Sequence, residues 1–215
     1  MSLRPFTTLT AIAAPLPEAQ LDTDVIFPAR FLLLLDKAGL GRHLFHERRA
    51  AGGFVLDRAP WDRAEILVTG PDFGTGSSRE HAVWALADFG IRCVIGPSFG
   101  EIFFANCFRN GVLPVILPAT AHAAVLAEAE AGRPVTVDLP AEAVRLADGR
   151  AFGFTVEAHR KRALLEGLDE IGVILKDDLA AIEAHEAAQR ARRPWLFLQP
   201  AQLAHFDDIR DSAEA

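Results

Sequence analysis

The sequence predicts an α/β fold, an at least partly parallel sheet with flanking helices and an added β-rich part. Three observations carry this. Between residues 65 and 117, strand-like and helix-like stretches alternate: 66–69, 78–89, 93–95, 99–108 and 113–117. Such alternation implies right-handed crossovers, which join parallel strands. Gly90 and Gly111 stand just past the two helical stretches, where a left-handed residue closes a helix. Further on, 135–139, 144–147 and 150–156 read as strands, the last two joined across Asp148-Gly149 as a tight hairpin.

Taken in order, residues 6–13 read as an opening strand, and Pro15-Leu16-Pro17 as the irregular connection that leads into Asp22-Thr23-Asp24. Asp and Thr side chains bond nearby backbone N–H groups, so an Asx turn accounts for that triplet. Residues 29–38 form an apolar, helix-like stretch stopped by Gly39, and 41–50 a second, amphipathic one. The run Leu32-Leu33-Leu34-Leu35 either joins the core or lines an apolar pocket. After the alternating region, 119–131 reads as a helix ended by Gly132. Two more helices, 157–166 and 177–192, close the chain before Pro194. A single domain over residues 1–199 is expected, with an acidic, polar and mobile tail over 200–215.

Composition narrows the function classes. Half of the 215 residues are apolar, enough for a full core. No run of 18 or more apolar residues is present, so no membrane span is expected. Arg4 is followed by Pro5, Pro15 and Pro17, which is not a signal-peptide pattern, and a cytoplasmic protein is expected. The net charge of −7 argues against a nucleic-acid surface, and Arg160-Lys161-Arg162 is too short a run to reverse that. Cys93 and Cys107 fall inside predicted core elements and read as buried free thiols in a reducing compartment.

The chemistry concentrates in Pro71-Asp72-Phe73-Gly74-Thr75-Gly76-Ser77-Ser78-Arg79-Glu80-His81-Ala82, between a predicted strand and a predicted helix. Ser77 and Glu80 have capping-box spacing, with Ser77 as the N-cap. Unpaired N–H groups and the positive end of the helix dipole favour an anion here, and Arg79 can fork onto a carboxylate. A P-loop is excluded because no lysine is present. A dinucleotide fingerprint is excluded because Arg79 stands where a glycine is required, and Gly-x-Ser-x-Gly is not spelled. A capped helix after a tight turn accounts for the same residues without any ligand. In open sheets, however, ligands gather at the carboxyl ends of strands, where this loop lies.

Residues 73–86 resemble the signature of the small, swivelling domain of the aconitase superfamily, in the two-chain form of the 3-isopropylmalate dehydratase small subunits. Three more stretches resemble that family in its own order: Asp22-Thr23-Asp24-Val25-Ile26-Phe27-Pro28; Pro97-Ser98-Phe99 with Ile102, Phe103 and Asn106; and Asn110-Gly111-Val112-Leu113-Pro114. The likeness covers residues 20–118, weakening towards Trp195. It implies the swivelling β/β/α domain and a hydro-lyase acting on a small 2-hydroxy dicarboxylate. It also implies a large-subunit partner, in a heterodimer or higher assembly. That partner would carry a [4Fe–4S] cluster whose open iron acts on the leaving hydroxyl, with no cofactor or metal on this chain. By the same resemblance Ser77 is the base that takes the carbon-bound proton. Arg79 clamps a substrate carboxylate, Ser78 donates to the substrate, and Thr23 and Asp24 form the adjoining wall. Thr75 stands where the family commonly has cysteine. 3-Isopropylmalate is the leading substrate; a related alkylmalate or methylcitrate-like acid, or an anion-binding module without chemistry, are the alternatives. His81 reads as a structural or supporting histidine.

Overall fold

In a computed structural model that describes residues 3–34, 36–76, 79–198 and 203, the sheet is organised around its first strand. β1 (Thr8–Leu16) is followed by a short helix, α1 (Thr23–Ile26), 3₁₀ turns at Ala29–Phe31 and Leu40–His43, and α2 (His46–Ala50). Then come β2 (Ile66–Thr69), α3 (Glu80–Phe89), β3 (Cys93–Gly96), α4 (Glu101–Arg109), β4 (Leu113–Ile116) and α5 (Ala119–Glu130). The remaining elements are β5 (Pro134–Asp138), β6 (Ala143–Arg145), β7 (Ala151–Gly153), α6 (Ala158–Glu166) and α7 (Glu170–Arg192).

The strands form one sheet in the order β4-β3-β2-β1-β5-β6-β7. β1 to β4 pair in parallel, with registers such as Ala13↔Ile66 and Cys93↔Leu113, while β5, β6 and β7 continue from β1 antiparallel. The alternating region and the β-rich part are therefore two halves of one mixed sheet that meet in β1. β1 pairs with β5 over Thr8 to Ile12 and with β2 over Ala13 to Leu16. It thus runs on through Pro15 and Leu16, which the prolines had marked as irregular. Pro15 has no N–H to give, and it falls where β1 has one paired neighbour instead of two.

The two faces of the sheet bury different cores. Leu67 and Val94 pack with Ala82, Val83 and Leu86 of α3 and with Phe103 and Cys107 of α4. Ile66, Val68, Cys93 and Ile95 face the other way, onto Val125 and Ala129 of α5 and Leu164 of α6. Strands covered on both faces are apolar at every position, so their sequences show continuous runs and no alternation.

Other expected elements differ as well. Residues 29–38 do not form an α-helix; after the turn at Ala29–Phe31, the Asp36 carboxylate accepts the Ala38 N–H at 3.0 Å and fixes a local turn. The turn at Ala29–Phe31 has no buried residue, and a helix that buries no face gains little from packing. α3 begins at Glu80, with Arg79 in extended geometry at the N-cap and no side-chain cap bond, two residues later than the capping box suggested.

Compactness divides the chain at Glu170, into Met1–Glu170 and Ile171–Ala215. The sheet and both cores belong to the first unit. The second is mainly α7, which starts earlier than residue 177 and has no buried residue. Apart from Leu203, the tail expected over 200–215 lies outside the described residues, as does Leu35 of the leucine run. Among the described residues no helix is long and apolar enough to cross a membrane.

Candidate active site

Because β1, β2 and β3 are parallel, their carboxyl ends release three loops at one edge of the sheet. Backbone bonds sew these loops together. Gln20 N–H donates to Pro71 O at 2.8 Å, Gly74 N–H to Leu21 O at 2.7 Å and Thr23 N–H to Thr75 O at 3.0 Å. On the other side Phe73 N–H donates to Ser98 O at 3.3 Å and Gly100 N–H to Phe73 O at 2.9 Å. Asp72, held at φ 58°, donates its N–H to Ser98 Oγ at 2.8 Å, and Ser98 Oγ donates back to Asp72 Oδ1 at 2.7 Å. The loop after β2 is thus clamped between the other two.

That clamp needs glycine at two points. Gly74 has φ +76°, and a Cβ there would lie 2.3 Å from Phe103 Cγ. A Cβ at Gly100 would lie 2.4 Å from Gly74 O. The turn can pass between α1 and α4 only as bare backbone.

The edge encloses a concavity of about 210 Å³ whose walls include Thr23, Thr75, Arg79, Glu101 and Phe103. Asp22 accepts the Val25 N–H at 2.8 Å and so caps α1, the local bond expected of an Asx turn. This sets Thr23 and Asp24 on the first turn of α1, Thr23 buried and Asp24 half exposed. The Arg79 guanidinium, with 20% of its side chain exposed, pairs with the Asp24 carboxylate. Of the predicted site residues, then, the structure brings Thr23, Asp24 and Arg79 together; Ser77 and Ser78 lie outside the described residues.

Glu101, at the start of α4, was not foreseen in this wall. The signal was available: Gly100-Glu101 repeats, after β3, the strand–glycine–helix pattern that singled out Gly74 to Arg79 after β2. Asn110 acts from the far end of α4, donating Nδ2–H to Glu80 Oε1 at 2.8 Å and accepting from Lys37 Nζ at 3.2 Å. It braces the first turn of α3, and with it Arg79, from behind.

No group of three or more His, Cys, Asp or Glu able to hold a metal ion is found among the described residues. The two cysteines do not fit an iron–sulfur cluster. Cys93 and Cys107 are fully buried on opposite faces of the sheet, and burial pushes both thiols far above their usual range, away from the thiolate that ligation needs.

A mixed sheet with its loop cluster at the carboxyl edge of the parallel half is the architecture of a class. Residues 3–120 match the aconitase C-terminal domain family, and residues 124–158 match LeuD_N. Among curated proteins, the 3-isopropylmalate dehydratase small subunit of Rhodospirillum rubrum is 49% identical over 200 residues, covering 89% of this chain and 96% of that protein. That of Gluconacetobacter diazotrophicus is 50% identical over 198 residues, covering 88% and 95%. Among solved structures, 3-isopropylmalate dehydratase (leuD) from Methanocaldococcus jannaschii superposes with a TM-score of 0.64 at 27% identity, covering 82% of this chain and 99% of that one. The chain belongs to the 3-isopropylmalate dehydratase small-subunit family.

Proposed function

We propose that this chain is the small subunit of a cytoplasmic two-subunit hydro-lyase that interconverts 2-isopropylmalate and 3-isopropylmalate by loss and return of water, a step of leucine biosynthesis. It works only with a large subunit, in a heterodimer or larger assembly. That partner bears the [4Fe–4S] cluster, which the two cysteines of this chain do not fit. The relatives' names support the reaction. The observation that carries the site is the largely covered Arg79 guanidinium facing a concavity beside the N-terminus of α3.

Arg79 presents a planar fork to one substrate carboxylate, and the α3 N-terminus adds its unpaired N–H groups. Asp24 serves the substrate through Arg79: two carboxylates repel, so Asp24 holds the guanidinium in orientation and does not touch the acid. Thr23 closes the wall. Ser77 takes the proton from carbon as an alkoxide, while the hydroxyl leaves from the neighbouring carbon and a carbon–carbon double bond forms. Return of the proton and of the hydroxyl, together one water, with their positions exchanged gives the isomer. A serine hydroxyl is a poor base near neutral pH, so the positive surroundings of the turn must stabilise its anion. Ser78 donates a further hydrogen bond. Departure of the hydroxyl is the partner's part.

The test is to combine the purified chain with the large subunit under anaerobic conditions and follow turnover of 2-isopropylmalate, a shorter alkylmalate and a methylcitrate-like acid. Turnover fastest on the isopropyl acid, and none by either chain alone, is expected. Activity only on another acid would move the substrate, and none on any would reduce the loop to an anion site.

A further inference from the structure

His81 lies two residues beyond Arg79, in the first turn of α3, and has no part in the chemistry above. Its surroundings are unusual. The imidazole stacks on Phe27, centroids 6.0 Å apart and planes at 25°, and lies 4.5 Å from the Trp84 ring. Its Nε2 is buried and has no hydrogen-bond partner. Phe27 is fully buried and is the C-cap of α1, its N–H bonded to Thr23 O.

The neighbouring contacts give this stack a position. The segment from Leu21 to Phe27 and that from Gly74 to His81 touch in matched order: Leu21 with Gly74 and Thr23 with Thr75 through backbone bonds, then Asp24 with Arg79, then Phe27 with His81. Arg79 is therefore bracketed. On one side the bracket is backbone; on the other it includes the side-chain stack of a ring that forms no hydrogen bond through its buried nitrogen.

We propose that His81 is a positioning residue that fixes Arg79 opposite Asp24 by stacking on Phe27, and that it acts through ring shape and not through proton transfer. The buried Nε2 bonds to nothing, so what the ring contributes here is its stacking surface. Phenylalanine can therefore replace the histidine without stranding a partner. The inference rests on the proposed function for its kinetic consequence, though not for its geometry.

The experiment compares wild type, His81→Ala and His81→Phe in two measurements. In the reconstituted complex with 2-isopropylmalate, His81→Ala should raise KM about three- to tenfold, the loss of one aromatic pair, with kcat within about twofold and an unshifted pH profile; His81→Phe should restore KM. In the isolated chain, hydrogen exchange should quicken in His81→Ala for peptides spanning 21–27 and 74–81 but not for β3 or β5, and His81→Phe should reverse it. Unchanged KM and exchange in the alanine variant overturn the proposal. So does equal impairment of both variants with a moved limb of the pH profile, which would make the imidazole an acid or base. If the wild-type complex turns over no alkylmalate, the functional reading fails on its own, and the exchange measurement still decides for or against His81.

Discussion

Arg79 and Asp24, 55 residues apart in sequence, are in direct contact beside the concavity that Arg79 lines, and their side chains are exposed to 20% and 52%. The guanidinium is the more covered partner, so its orientation is set by the protein while Asp24 remains open to solvent. A surface pair of this kind contributes at most about 1 kcal/mol to stability, so its value lies in aiming the fork.

Arg79→Lys keeps the charge and loses the fork. Substrate KM should rise and kcat/KM fall by about tenfold or more, while the thermal melt of the chain moves little. Steady-state kinetics on two alkylmalates beside a melt check this. Unchanged kinetics would return Arg79 to the surface.

Gly74→Ala should destabilise strongly, because the new methyl group meets both a left-handed φ of +76° and the Phe103 ring at 2.3 Å. Gly52→Ala is the control: its φ is +82°, and nothing lies within 4 Å of the added Cβ. Strain alone costs about 1 kcal/mol, and the clash should add about 1–3 kcal/mol to the Gly74 variant. Chemical denaturation of both variants separates the two contributions; equal losses would mean that Phe103 yields freely.

Acidification should loosen the segment that carries His43. Burial, followed by the charges of Arg42, His46 and Arg30, lowers its pKa below the usual 6.5, and its Nδ1 is buried without a partner beside the stacked Phe31 ring. The unfolded chain therefore takes up a proton that the folded chain refuses. Stability contributed by the neutral ring is present above pH 6.5 and is lost as pH falls towards the lower folded value. Melts between pH 7.5 and 5.5 should show that loss, and His43→Phe should remove the part due to this residue.

Ser77→Ala should fold almost as wild type, since α3 starts at Glu80 with Arg79 at the N-cap and draws on no side-chain cap. In the reconstituted complex it should lose orders of magnitude in turnover, because the proton-taking group is gone. Near-normal turnover with a cluster-loaded partner would sink the assignment of the base.

Much of this could be read in the residues. β2, β3, α4 and α5 fall within a residue or two of the predicted stretches, because apolar runs, helical spacing and closing glycines are local signals. The meeting of Asp24 with Arg79 was legible only through family likeness: nothing local joins residues so far apart, and the parallel pairing of β1 with β2 does so in space. Glu101 was missed because a lone carboxylate at a helix start normally reads as a dipole partner. Residues 29–38 misled because an apolar run resembles a helix whether or not a surface exists to bury it.

The two thiols offer the last test, and it separates this chain from the partner it is proposed to need. Cys93 sits in β3 among Ile66, Val68 and Ile95, and Cys107 in α4 on the opposite face with Leu67 and Phe103. Both are fully buried, and desolvation holds them protonated at neutral pH. A cluster requires several exposed thiolates converging on one point, whereas these two would have to leave separate cores. The native chain should therefore react with a thiol reagent only as fast as it opens, with both groups labelling at once in denaturant. Anaerobic reconstitution with iron and sulfide should leave no stoichiometric cluster on it. Rapid labelling of either thiol in the folded chain would contradict the burial. A full complement of iron and sulfide on this chain alone would overturn the division of labour between the two subunits.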